Sequence, residues 1–257
     1  MNLASTNNPP APLRYLTSLA ERRMVTRYRE RQITIRAYAK PPFRLHYFHQ
    51  VDDPHSYLVA HALRRIDATY PVDIHAHVVS PPDVMNAPEP SLLHAYALRD
   101  TRQIAPHYGL ALDEKDASVT DVDRCEVELS SVPQDQFLKK ATSFGTLVAT
   151  HKTTAASRAT SPATREGNAL RKRLGHFSSA TVHFEGNWYW GMDRLYLLET
   201  LLCELSDRPL STLLYPRPNE RGPADASALT LEVFPSLRSP YTAIGFDRAI
   251  TLAKSTG

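Results

Sequence analysis

The stretch "FRLHYFHQVDDPHSYLVAHALRRIDATYPVDIHAHVV", residues 43–79, limits the possible folds more than any other part of the chain. The apolar-rich run from Phe43 to Phe48 reads as a strand. A short polar loop follows. Pro54 then opens a helix, where its missing N–H and fixed φ cost nothing. Leu58, Ala62, Leu63 and Ile66 recur at helical spacing and give this helix a buried stripe. Tyr70–Val79 reads as a second strand. Strand, helix and strand in this order make a β-α-β unit, with a parallel pair and a right-handed crossover.

The pattern returns 186 residues later without a gap. "LTLEVFPSLRSPYTAI" from Leu229 lies under "FRLHYFHQVDDPHSYL" from Phe43. Leu45 meets Leu231, Phe48 meets Phe234, Pro54 meets Pro240, Ser56 meets Thr242 and Leu58 meets Ile244. The second copy runs to one strand and one helix, too little to bury a core. Residues 229–257 are therefore expected to be the start of a truncated tandem copy. They should pack on another unit, in this chain or in a second one as a homo-oligomer, or else be poorly ordered. Residues 206–228, with four prolines and one glycine, read as a linker.

Ser91–Leu110 reads as a helix that breaks at Pro106 and Gly109. Residues 133–174 read as mostly helical, with Thr150–Asn168 a loop or frayed helix end around Pro162. Ser179–Trp190 has the alternation of a hairpin turning at Glu185-Gly186-Asn187. Gly191–Leu205 is a strongly amphipathic helix.

Apolar residues make up 42% of the 257, enough for a real core. The net charge of +3 is too weak to argue for nucleic acid. Basicity is uneven, however: residues 1–42 carry eight Arg or Lys against Glu21 and Glu30. That arm reads first as a solvated helix on the domain's edge, and alternatively as a surface for RNA, anionic lipid or an acidic partner. Cys125 and Cys203 stand far apart, in no C-x-x-C arrangement, and indicate neither a disulfide framework nor a zinc site. "MNLASTNNPPAPL" lacks the form of a secretory signal, and no run approaches 18 apolar residues. These features lead to the expectation of a soluble cytoplasmic protein with no membrane span.

Several segments carry a resemblance. "DPHSYL" and "SPYTAI" resemble the "SPYSYL" segment of the DsbA-like family, in its 2-hydroxychromene-2-carboxylate isomerase and kappa-class glutathione transferase branch. "WYWGMDRLYLLETLL" resembles that branch's "FWGxDRLxxLExxL", and "HAYALRDTRQIAPHYGL" its insert helix, with Tyr96, Asp100, Arg102 and Gly109 in place. The resemblance covers residues 43–205 and restarts at 229. It implies an α/β thioredoxin-like fold of the DsbA type with a helical insertion. It also implies a site at the first helix's N-terminus, where free N–H groups and the helix dipole stabilise an anion. In the redox branch a C-x-x-C thiolate sits there; in the isomerase branch a serine holds the sulfur of glutathione.

Neither copy keeps a cysteine at that position, so thiol–disulfide exchange has no nucleophile there. The second copy has Ser239, the isomerase-branch residue, and the resemblance makes it the candidate that steers a glutathione sulfur. The first copy has Asp53, either a plain N-cap or a general base, and its charge would repel a thiolate by about 1 kcal/mol or more. Ser56 lies beside it on the same turn. Ala180 stands where the family has a cis-proline, so a trans bond and a reshaped edge are expected there, with Ser179 still offering backbone groups. Asp193 matches a contact to the γ-glutamyl end, or else caps a helix with Arg194 packed on the sheet; Asn86 matches a further glutathione contact in a loosely aligned loop.

His75 and His77 share one strand face, and His46 can join them, but no further ligand completes a zinc set. Hydrogen-bonded histidines account for them as well. Trp188, Tyr189 and Trp190 either stack on a ligand or wall the core. Asp53, His55 and Ser56 do not make a triad, because a triad converges from separate elements. The expected protein is an oxidoreductase or isomerase of the glutathione-using type without C-x-x-C, its first domain degenerate. The alternatives are a non-catalytic binding or assembly module, or a small-molecule isomerase using Asp53.

Overall fold

A computed structural model describes residues 26–27, 30–149, 161–217, 228–235 and 240–256. The chain divides into two compact units, Met1–Pro216 and Arg217–Gly257.

In the first unit, residues 30–38 form helix α1. There follow β1 (Phe43–His49), α2 (Pro54–Thr69), β2 (Val72–Val78) and α3 (Pro90–Ile104), the last extended by a 3-10 turn at Ala105–Tyr108. Next come β3 (Glu114–Ala117), α4 (Val119–Ser131), α5 (Gln134–Ser143), β4 (Thr146–Ala149) and α6 (Pro162–Arg173). The unit closes with β5 (Thr181–Phe184), β6 (Asn187–Trp190), a 3-10 turn at Met192–Arg194 and α7 (Leu195–Leu205). The main sheet has the order β2-β1-β5-β6, with β1 and β2 parallel and β5 and β6 antiparallel. A β-α-β half joined to a β-β-α half in this order is the thioredoxin-like fold. Elements α3 to β4 are inserted between the halves, which is the DsbA type of arrangement.

The hydrophobic pattern explains the core. Leu45 and Tyr47 of β1, and Leu58, Leu63 and Ile66 of α2, are fully buried together with Leu198 and Leu202 of α7. The β5–β6 turn is Glu185-Gly186, both at positive φ, one residue tighter than the expected three-residue turn. Over this turn lies Arg31 of α1, donating to the Gly186 carbonyl, while Arg36 pairs with Glu204 and Ile35 is buried. Part of the basic arm is thus docked on the domain rather than wholly solvated; residues 1–25 lie outside the described residues.

Three sequence expectations are corrected. Pro162 does not interrupt a helix but opens α6, with Ser161 as N-cap accepting from the Thr164 N–H. Gly167 sits inside α6 because the helix backbone lies against β2: a Cβ there would meet the Val78 oxygen at 2.2 Å. The insertion also holds a parallel β3–β4 pair, whose four-residue strands are too short for a readable period. Residues 206–216, read as linker, belong to the first unit. Buried Glu199 accepts from the Leu214 and Tyr215 N–H groups and from the Tyr70 hydroxyl, and so fastens this segment to α7.

In the second unit, α8 (Pro240–Thr256) forms as the repeat predicts. Residues 229–235 form no strand, and Leu229 and Phe234 are exposed. A strand needs a partner to satisfy its backbone, and among the described residues no strand pairing involves this segment.

On the sheet face opposite α2, cross-strand register sets His75, His46, His183 and Trp188 in one row across all four strands. His46 Nδ1 and His77 Nε2 are 3.1 Å apart, a bond that requires one ring nitrogen to be unprotonated. Burial, followed by the charge of neighbouring histidines, pushes His77 and His183 down to about 4. On the other face, burial pushes His49 to about 3. A histidine depressed in the folded state takes its proton first in the unfolded chain. Stability is therefore full above the ordinary pKa and falls as pH drops from about 6.5 towards 4.

Two outcomes are expected. Urea midpoints measured from pH 7.5 to 4.5 should fall below pH 6.5, and His77→Phe should flatten the slope. Glu199→Ala leaves buried donors unsatisfied and should cost about 2–4 kcal/mol in urea unfolding, with faster hydrogen exchange at Leu214 and Tyr215.

Candidate functional site

A cavity of about 970 Å³ opens at the N-terminus of α2. Its floor is the turn Asp52–His55 with Ser178–Ala180 beside it. Its walls are α3, through Tyr96 and Asp100, and the segment Trp190–Arg194. Pro54, Pro81, Pro82 and Pro90 stiffen the rim.

Asp53 caps α2. One carboxylate oxygen accepts from the His55 N–H at 3.1 Å; the other accepts from the Ser56 N–H at 3.2 Å. That second oxygen also accepts from the hydroxyls of Ser56 and Ser179, each at 2.8 Å. Four donors on one carboxylate make Asp53 a structural cap rather than a poised base. Ser56 is fully buried and does not line the cavity. Its hydroxyl accepts the N–H groups of Gln50 at 3.2 Å and Ala180 at 3.1 Å while donating to Asp53. Ser56 is therefore corrected from a ligand contact to the joint that holds the floor together.

The Ser179–Ala180 bond is trans, and Ala180 adopts φ +53°. A proline could take neither that φ nor the hydrogen bond to Ser56. Ser179 contributes its hydroxyl to Asp53, a role the sequence did not suggest. Asn86 lines the cavity, but its amide is bonded to Asp83 at 2.9 Å within a turn. Asp193 lines the rim and caps nothing: Gly191 precedes its 3-10 turn, and Arg194 lies 3.4 Å away, exposed rather than packed on the sheet. Asp193, after burial, helps raise the Tyr108 phenol above its ordinary range. Ser239 lies outside the described residues.

Sequence reasoning missed one pair. His55 Nε2 on the first turn of α2 stands 3.5 Å from Asp100 Oδ2 on α3, both facing the cavity. The signal was present, since Asp100 falls on the insert helix and His55 follows the helix-opening proline. Its neighbour Arg102 instead binds Glu114 through two bonds of 2.7 and 2.6 Å. The aromatic run divides by strand alternation. Tyr189 is core, Trp188 packs in tilted and edge-on contacts with Phe48, His176 and His183, and half-exposed Trp190 lines the cavity. Cys125 and Cys203 are free, buried and absent from the lining. Among the described residues no three His, Cys, Asp or Glu side chains form a metal-holding group, and no helix is long and apolar enough to cross a membrane.

Ala180→Pro, which restores the residue type the resemblance implies, should destabilise rather than repair the site. The loss should be about 3 kcal/mol or more in urea unfolding, because φ and a buried hydrogen bond both fail.

No protein-family model matches the chain, and no curated protein matches it. Among solved structures, a match is found to 2-hydroxychromene-2-carboxylate isomerase (HCCA isomerase). It has a TM-score of 0.48 and 15% identity, and covers 63% of this chain and 96% of that one.

Proposed function

We propose that the first unit is a DsbA-type domain turned from thiol chemistry to binding a small organic molecule at the start of α2, with acid–base rather than redox capability. The observation that carries this is a cavity of about 970 Å³ whose floor presents a carboxylate where a thiolate would stand. Asp53 already occupies the N–H groups that would stabilise a sulfur anion, and neither cysteine reaches the cavity. The first-copy site therefore does not suit the sulfur of glutathione. What faces the ligand space instead is His55 backed by Asp100. An imidazole 3.5 Å from a carboxylate, both facing the ligand space, is suited to moving a proton, as an isomerisation requires. A glutathione-using activity in the second copy would rest on Ser239, the residue before the first residue of α8. Loss of retention on immobilised glutathione in Ser239→Ala would support it.

Wild-type protein should show no reduction of insulin disulfides by dithiothreitol above background. Asp53→Ser removes the competing anion while keeping a helix cap. It should bind glutathione through the first unit about fivefold more tightly in calorimetry, the equivalent of about 1 kcal/mol. Tighter binding of glutathione thiolate by the wild type than by Asp53→Ser would defeat the proposal.

A further inference from the structure

Resting on that reading of the cavity, we infer that its ligand is an organic cation: an ammonium group carried on an aromatic or apolar body. The chain as a whole is formally +3, yet the cavity runs the other way. Four aspartates line it (52, 53, 100 and 193) against one arginine, Arg194, which leaves a formal −3 with histidines neutral. This reversal is local and is concentrated in a concave space, which focuses the field of its lining charges.

The four acids are not equivalent. Asp53 is saturated by four donors. Asp52 is 6% exposed and accepts from the Gln50 amide. Asp100 and Asp193 meet their basic neighbours at 3.5 and 3.4 Å, beyond the 2.7–2.9 Å or so of a close charged hydrogen bond. Their carboxylates keep acceptor capacity towards the cavity, one from the α3 wall and one from the opposite rim. Around them stand Tyr96, Tyr108, Phe177 and Trp190. Trp190 and Tyr96 line the cavity and are 52% and 60% exposed, so part of each side chain is left for a ligand to cover. Aromatic faces beside carboxylates form a receptor for an ammonium, which gains from both the ring quadrupole and the charge. An anionic ligand of the same shape meets the same groups with the sign reversed.

The test uses three probes of one shape on the full chain: 3-phenylpropylamine, 3-phenylpropanol and 3-phenylpropionate. Binding is followed by calorimetry and by Trp190 fluorescence, with Trp190→Phe assigning the signal. The amine should bind at least tenfold more tightly than the alcohol, and its affinity should fall as salt rises. The acid should bind more weakly than either. Asp100→Asn with Asp193→Asn should bring amine and alcohol within about twofold while leaving thermal unfolding unchanged. Equal or tighter binding of the alcohol or acid overturns the cation assignment and leaves the ligand-binding reading standing. If none of the three binds, the ligand-binding reading falls and takes this inference with it. A salt-independent preference for the amine in the wild type also overturns the assignment, and that measurement does not depend on how the variants fold.

Discussion

One hydroxyl holds the site together. Ser56 Oγ takes the N–H groups of Gln50 and Ala180 and gives its proton to Asp53. It thereby ties the end of β1, the start of α2 and the approach to β5 into one buried knot. Within this knot the chain's departures from a thiol-active site depend on each other. Ser56 can accept from Ala180 only because residue 180 has an N–H, and the hydroxyls of Ser56 and Ser179 join two backbone N–H groups in holding Asp53. Changing one member alone leaves a buried group without a partner.

The knot also decides what the cavity can do. The start of a helix attracts anions, and here the protein has supplied that anion itself. The electrostatic advantage of the position goes into fixing the backbone and no longer goes into activating a nucleophile. Capacity for chemistry and recognition moves outward, to His55 and Asp100 on one wall and to Trp190 and Asp193 on the other.

Much of the scaffold was legible in the sequence. An apolar-rich run marked β1, a second strand reading marked β2, alternation marked the β5–β6 hairpin, and the apolar stripe of α2 was plain. What escaped depended on contacts across long separations. The strands β3 and β4 are visible only through their pairing with each other. The segment to Pro216 looks like linker until buried Glu199 is seen to hold it. At the site, Asp53 was legible as a cap, because capping is local. Ser179 donating to it 126 residues away was not, and neither was the approach of His55 to Asp100, which is set by how the insertion folds over α2. The strand expected at Leu229 shows the opposite limit: its residue pattern is adequate, but a strand is a property of two segments.

A last consequence comes from β2, the outermost strand beside β1. The Gln134 side chain accepts from the Ala76 N–H at 2.8 Å and donates to the Ala76 carbonyl at 3.1 Å, imitating a neighbouring peptide group. Gly167 brings α6 down against the same strand near its end. A foreign chain seeking to extend the sheet along this margin finds the central rung already taken. The margin is thus guarded against runaway polymerisation, without the lysine or proline that more often serves as gatekeeper.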